Sequence, residues 1–429
     1  MARLTWRQHT VCVCLGLTLL LPPWLNHEQF AKAFWFGDEF YLLAQIHEQG
    51  FGTWVMEMFS ETFMPVFKAI WGALVFVSGS YAFILGAVWL LHALNGYLLA
   101  RAMRRLGYGW IAAAACVLLF GLHGMTIETL TWSVQSCVML CATTFLCALD
   151  AHLRRREETR SDGSGISAAE EVGWSAVACW IFTRGLLEGP VLAAVTLLDF
   201  DDRRALAKRI RDSITLLVVP LATGIYVYWA LPREMHALGQ LRFIQPLSFA
   251  WWGFGGNPLV TFFEITPTWK TVSVGAAVKI ILFAALLWRE RGGRRAWLLG
   301  LALFDVGNCL LLGVGRYNPD LGLSTSSRYQ YIGLFTTMPF LAILLENVAV
   351  RSLLRVVRIA MAAAIVGWMS WIGLRSWRQQ LPSWMESRGV AGRKLLLSGK
   401  EVPKGADVPG FPGFDNRRAA TLVRIYDLR

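Results

Sequence analysis

Apolar runs separated by short, arginine-rich breaks set the rhythm of this chain. The runs lie at 9–25, 81–101, 109–127, 131–150, 172–186, 188–200, 213–231, 271–289, 296–315, 329–347 and 357–376. A helix crossing a bilayer needs about 20 predominantly apolar residues. The pattern therefore predicts an all-α polytopic membrane protein with about eleven transmembrane helices. A transmembrane domain over 1–376 is followed by a tail over 377–429.

Positive charge orients these helices, because Lys and Arg collect in cytoplasmic loops. The clusters are Arg3/Arg7, Arg101/Arg104/Arg105, Arg154 to Arg156, Arg203 to Arg211, Arg289 to Arg295 and Arg351/Arg355/Arg358. Each can sit on one side of the membrane if the intervening chain goes out and returns. The N-terminus is then cytoplasmic and the tail lies on the far side. Pro22-Pro23-Trp24 closes the first run without a small-residue cleavage site, the pattern of a retained helix rather than a signal peptide. Compact loops and a short tail point to a bacterial inner membrane, with a periplasmic C-terminus.

One run breaks the count. If 64–79 (MPVFKAIWGALVFVSG) also crossed, Arg101 to Arg105 would fall outside. Pro65, Lys68 and Gly79 suit an interfacial or re-entrant helix within a long first outer loop, 26–80. The short runs 172–186 and 188–200 turn at Arg184 and Glu188, and merging them would carry Arg203 to Arg211 outside. The other outer segments are Pro232 to Lys270, Arg316 to Arg328, and the irregular tail from Trp377 to Arg429, too short for an independent catalytic domain.

Composition narrows the class. The chain is 55% hydrophobic and 16% charged, with mean hydropathy +0.46, against about 25% charged in soluble domains. That excludes a disordered chain and argues against an ordinary soluble one. A net charge of +12 would suit nucleic acid if the cations shared one folded face. They are dispersed between apolar runs, so no nucleic-acid partner is expected. All eight cysteines (Cys12, Cys14, Cys116, Cys137, Cys141, Cys147, Cys179, Cys309) lie in apolar segments as small hydrophobes. Neither a disulfide framework nor a zinc site follows.

Several ionisable groups have no role in a plain membrane span. Asp38 and Glu39 are adjacent and framed by Phe34, Trp35, Phe36, Phe40 and Tyr41. Such flanks predict an amphipathic surface helix, and a partly desolvated carboxylate has the proton affinity of a general base. The plainer alternative is a solvated helix start after Gly37. Lys68, Glu128, Arg184, Glu188, Arg316 and Arg328 fall at predicted outer helix ends, where embedded charges are functional candidates. Lys68, Arg184, Arg316 and Arg328 gathered together would suit a phosphate at the membrane surface. Against this, Glu128 has the position of an ordinary helix terminus. Arg184 and Glu188 have salt-bridge spacing, and Arg316 can snorkel. Arg328, in SSRYQYIG, opens a span on the side where positive charge is disfavoured. His92 and Asn95 read as interhelical hydrogen-bonding residues. No Walker loop, Rossmann fingerprint, HExxH or GxSxG is present, which argues against soluble nucleotide chemistry.

Four features, in order along the chain, resemble the GT-C superfamily of integral-membrane glycosyltransferases, which use polyprenyl-phosphate-linked sugars. Asp38-Glu39 resembles that superfamily's acidic pair in the first outer loop. Pro65-Val66-Phe67-Lys68 is similar to a Pro-Leu-Ala-Lys stretch of protein O-mannosyltransferases. WLLHALNGYLLARAMRRLGY followed by LLFGLHGMTIETLTW is similar to a helix pair of the TMTC-type enzymes, including His123, Glu128 and Trp132. SSRYQYIG resembles their Arg-Tyr motif at Arg328-Tyr329. Phe63 and Met64 replace the expected His-Pro, and Gly124 stands where proline is expected.

The resemblance implies an inverting glycosyltransferase at the outer membrane face. Asp38 would deprotonate an acceptor hydroxyl, and Lys68, Arg184 and Arg328 would neutralise the departing polyprenyl phosphate. Glu39 would orient the acceptor or a divalent cation, although two adjacent carboxylates define no Mg²⁺ site. Glu128, Glu188, Arg316 and Tyr329 complete the expected substrate-binding set. Trp251 and Trp252 would stack on sugar, or serve as interface anchors. The implied partners are a polyprenyl-phosphate-linked sugar, a glycan, lipid or protein acceptor, and membrane lipid. Two other functions fit the same charges: a flippase or transporter for a lipid-linked glycan, and a non-catalytic member of an envelope complex.

Overall fold

The computed structural model describes residues 4–158, 166–199, 201–202, 204–231, 244–316, 318–350, 355–386, 391–398, 408 and 413–428. Arg203, Arg351 and the 232–243 part of the expected Pro232 to Lys270 loop lie outside the described residues. So does much of the tail.

Among the described residues every extended element is a helix. Among the described residues six helices are long and apolar enough to cross a bilayer: Trp6–Leu25, Tyr81–Arg105, Ser133–Glu158, Leu206–Ala230, Trp269–Arg289 and Gly293–Arg316. A seventh crossing results if Trp110–Gly121 and Gly124–Thr131, bent by 48° at His123, count as one. The protein is thus an all-α chain whose long apolar helices fit an integral membrane protein. On Leu206–Ala230, the exposed Ile214, Val218, Leu221 and Ile225 recur at helical spacing along one face. In water such a stripe would be a liability, whereas lipid tails solvate it.

The other expected runs are helical in a different way. Ile166–Cys179 and Glu188–Leu198 are short, and a 3₁₀ turn over Thr183–Leu187 leads into the second of them. Pro65–Val77 has 13 residues, about 20 Å of helix against the roughly 30 Å of a hydrocarbon core. Ser327–Val350 and Arg355–Met385 cover the last two runs. The latter does not end at 376. It continues because Ser376, Trp377 and Leu381 face inward while Arg375, Arg378, Gln379 and Gln380 face outward, an amphipathic pattern rather than a wholly apolar one. Trp377 is fully buried, 5.4 Å from Trp89 and 6.2 Å from Phe30 between ring centroids.

Four of the basic clusters meet at one end of the bundle. Arg101 and Arg105 pair with Asp150, Arg154 with Glu170, Arg155 with Glu171 and Asp212, and Arg156 with Asp199. Arg204 bridges Asp202 and Asp212, and Arg295 approaches Asp201. Gly293–Arg316 starts at this end and spans 24 residues, so Arg316 lies roughly 36 Å away at the opposite end.

At that opposite end, part of the tail folds back onto the first loop. Phe414 packs on Phe40 and Tyr41, Arg418 pairs with Glu48 at 2.9 Å, and the Tyr426 hydroxyl donates to the Leu43 carbonyl at 3.2 Å. The helix Asn416–Ile425 therefore covers the helix Asp38–Gln49.

Candidate functional site

The first loop enters its helix through Gly37, whose φ of +56° is a conformation that side chains disfavour. The turn sends the two carboxylates in different directions. Glu39 goes inward and is fully buried. Its Oε1 accepts from the Tyr81 hydroxyl at 2.9 Å, the Ser133 amide at 3.0 Å and the Ser133 hydroxyl, and its Oε2 accepts from the Phe36 amide at 2.9 Å. Glu39 is thus a latch between the first loop and the Ser133 turn. Asp38 instead lines a cavity of about 170 Å³.

That cavity gathers residues from four parts of the chain. Asp38 and Glu61 come from the first loop, and Trp132 and Gln135 follow the bent helix pair. Thr183 and Arg184 come from the 3₁₀ turn, while Asn308, Arg316, Arg328 and Tyr329 flank the segment joining two late helices. Arg184 is held in place by its neighbour Gly185, where any Cβ would lie 1.9 Å from the Ala178 carbonyl oxygen. The guanidinium carbon sits 5.8 Å from the Tyr329 ring. Arg328 approaches Tyr329 at 5.9 Å, so one phenol ring lies near two cations.

The three arginines are not equivalent. Arg328 pairs with Glu128 at 3.0 Å and Arg316 pairs with Glu61. Arg184 is only 5% exposed, and its Nη1 has no hydrogen-bond partner among the described residues. A buried guanidinium keeps its charge, and an unmatched one is stabilised by an anion entering the cavity.

The other candidates lie elsewhere. Lys68 does not join the arginines. Its ammonium donates to the Trp54 carbonyl at 2.7 Å and the Glu57 carbonyl at 3.0 Å, closing the C-terminal end of the helix Phe51–Met56. Burial lowers its pKa to about 8, with Glu57 opposing the shift. Glu188 accepts from the Thr144 hydroxyl at 2.7 Å inside the bundle, and no Arg184–Glu188 pair is found. The 3₁₀ turn breaks the α-helical spacing that such a pair needs. Glu128 supports the cavity from behind Arg328 and also accepts from the Ser327 hydroxyl. Trp251 lines a separate apolar cavity of about 530 Å³ with Phe254 and Trp269, away from Asp38. Trp252 is not in the cavity lining either. His92 and Asn95 both bond the Tyr331 hydroxyl, tying two helices together. Among the described residues no group of three or more His, Cys, Asp or Glu side chains is arranged to hold a metal ion. Glu61, Gln135, Thr183 and Asn308 are cavity residues that the sequence reading missed. A visible signal existed for one of them: Asn308 is an amide that shares a largely apolar run with Asp305.

Glu39 leads to a test. Burial is the largest influence on it and raises its pKa from 4.5 to about 7, partly offset by the hydrogen bonds from Ser133, Phe36 and Tyr81. The folded state therefore holds a proton that the unfolded state releases between about pH 4.5 and 7, and stability falls as pH rises through that window. Thermal unfolding in detergent should show this decline, and Glu39→Gln should flatten it. An unchanged slope in the variant would assign the pH dependence to another group.

No protein-family model, curated protein or solved structure matches the chain.

Proposed function

We infer that the chain is an inverting glycosyltransferase that takes a sugar from a polyprenyl-phosphate donor and gives it to an acceptor hydroxyl. The observation that carries this reading is one cavity with a carboxylate on one wall and, on another, a buried guanidinium whose Nη1 has no hydrogen-bond partner among the described residues. In the proposed reaction, Asp38 accepts the proton of the acceptor hydroxyl as its oxygen forms a bond to sugar C1. The bond from C1 to the phosphate oxygen breaks on the opposite face, and the electron pair leaves with the polyprenyl phosphate. Arg184 and Arg328 stabilise that anion, an electrostatic role favoured by a site with little water. Glu39 and Lys68 act indirectly, by fixing the loop that presents Asp38. Neither they nor Glu188 touches substrate in this scheme.

The associated topology has eleven crossings, with the arginine-rich end cytoplasmic and the cavity on the far side of a bacterial inner membrane. The meeting of the Arg101, Arg154, Arg204 and Arg295 clusters at one end supports this orientation. Proteoliposomes loaded with radiolabelled polyprenyl-phosphate sugars test the reading. The expected result is label in a new glycosidic bond. Labelled lipid that crosses the bilayer with no new bond would make the protein a transporter instead.

A further inference from the structure

Arg184 has a counterpart in the cavity wall. Asn308 is 3% exposed, lines the same cavity, and its side-chain carbonyl oxygen finds no hydrogen-bond partner among the described residues. It stands on the helix Gly293–Arg316, between the buried Asp305 and the cavity-lining Leu311, Leu312, Gly315 and Arg316. A buried donor and a buried acceptor, both unmatched, thus belong to residues that line one small space.

Their chemistry specifies different parts of a ligand. Arg184 requires an acceptor and favours a charged one such as phosphate. An amide oxygen can only accept, so it gains nothing from the oxygens of a phosphate diester and requires an O–H or N–H donor. Left empty, it is a buried polar group without compensation. We propose that Asn308 accepts a hydrogen bond from a hydroxyl of the group esterified to the phosphate held by Arg184, so that the cavity selects a phosphorylated polyol over a lipid phosphate alone. This inference rests on the anion-binding part of the function proposed above and names the residue that reads the sugar.

The test uses the full chain in nanodiscs. The probes are dodecyl phosphate and dodecyl phosphoryl-hexoses carrying glucose, mannose or galactose, with affinity measured by calorimetry. The wild type is expected to bind at least one phosphoryl-hexose about tenfold more tightly than dodecyl phosphate. Asn308→Leu, close to isosteric, should erase that preference, leave dodecyl phosphate binding within about twofold, and unfold at the same or a higher temperature. Arg184→Gln should weaken both probes together.

The inference is overturned if no phosphoryl-hexose is preferred, if Asn308→Leu keeps the preference, or if it weakens both probes alike. Asn308→Thr guards against misfolding of the leucine variant. Its shorter side chain should also lose the preference, and retention of it counts against the proposal. Binding separates this result from the activity. A preference that depends on Asn308, in a protein that transfers no sugar, would uphold the inference and sink the transferase. If neither probe binds and Arg184→Gln changes nothing, both fall.

Discussion

Asp38→Asn is expected to reduce sugar transfer by about 10²–10⁴-fold, the usual contribution of a positioned general base. The substitution preserves the shape of the residue and its place after Gly37, and it removes only the basicity of the group. The latch made by Glu39 with Tyr81, Ser133 and Phe36 does not involve Asp38, so the loop should stay folded. Initial rates in proteoliposomes, with thermal unfolding measured in parallel, check both halves. Transfer within a few-fold of wild type would remove Asp38 from the chemistry. Loss of transfer together with loss of folding would leave it a structural residue.

The largest effect on stability should come from Lys279→Met. Lys279 and Asp305 pair at 2.5 Å, and each is only 1% exposed. The ammonium also donates to the Asn257 carbonyl at 2.9 Å, and Asp305 accepts from the Thr336 hydroxyl at 2.9 Å. The pair thus joins Trp269–Arg289 to Gly293–Arg316 and Ser327–Val350. Removing one partner leaves an uncompensated buried charge, a loss of about 3–5 kcal/mol, whereas replacing both by apolar residues is often neutral. Lys279→Met alone should therefore lower the unfolding midpoint sharply, and adding Asp305→Leu should restore most of it. A double variant no better than the single one would show that contacts to Asn257 matter more than the ion pair. Asn257 itself bonds the Ser324 carbonyl and Gln330, next to the segment that presents Arg328.

Much of the architecture is legible in the pattern of apolar runs. Long apolar runs between arginine clusters are one-dimensional signals, and the run at 213–231 and the cluster at Arg154 to Arg156 needed nothing else. The lengths of the individual helices are less accessible. Glu188–Leu198 is short because a 3₁₀ turn precedes it, and no local pattern marks that turn. The site was legible in its endpoints. Asp38, Arg184, Arg316, Arg328 and Tyr329 do line one cavity. Lys68 and Glu188 were grouped with them because charge and position near a helix end were the only available criteria. Their actual partners are a helix C-terminus and a threonine on another helix, and both are set by tertiary packing. Asn308 carries no charge, so its place in the cavity is set by helix packing and not by any charge pattern in the sequence.

The packing of residues 413–428 against the first loop carries a cost in time. Leu43 and Tyr426 are 383 positions apart. At about 5–20 residues per second, a ribosome takes roughly 20–80 s to travel between them. Throughout that interval the young Asp38 helix has no roof, and Phe40 and Tyr41 lie open to lipid or to chaperones. Docking of this cover is therefore among the last events in biogenesis, although the helix beneath it is among the first segments made.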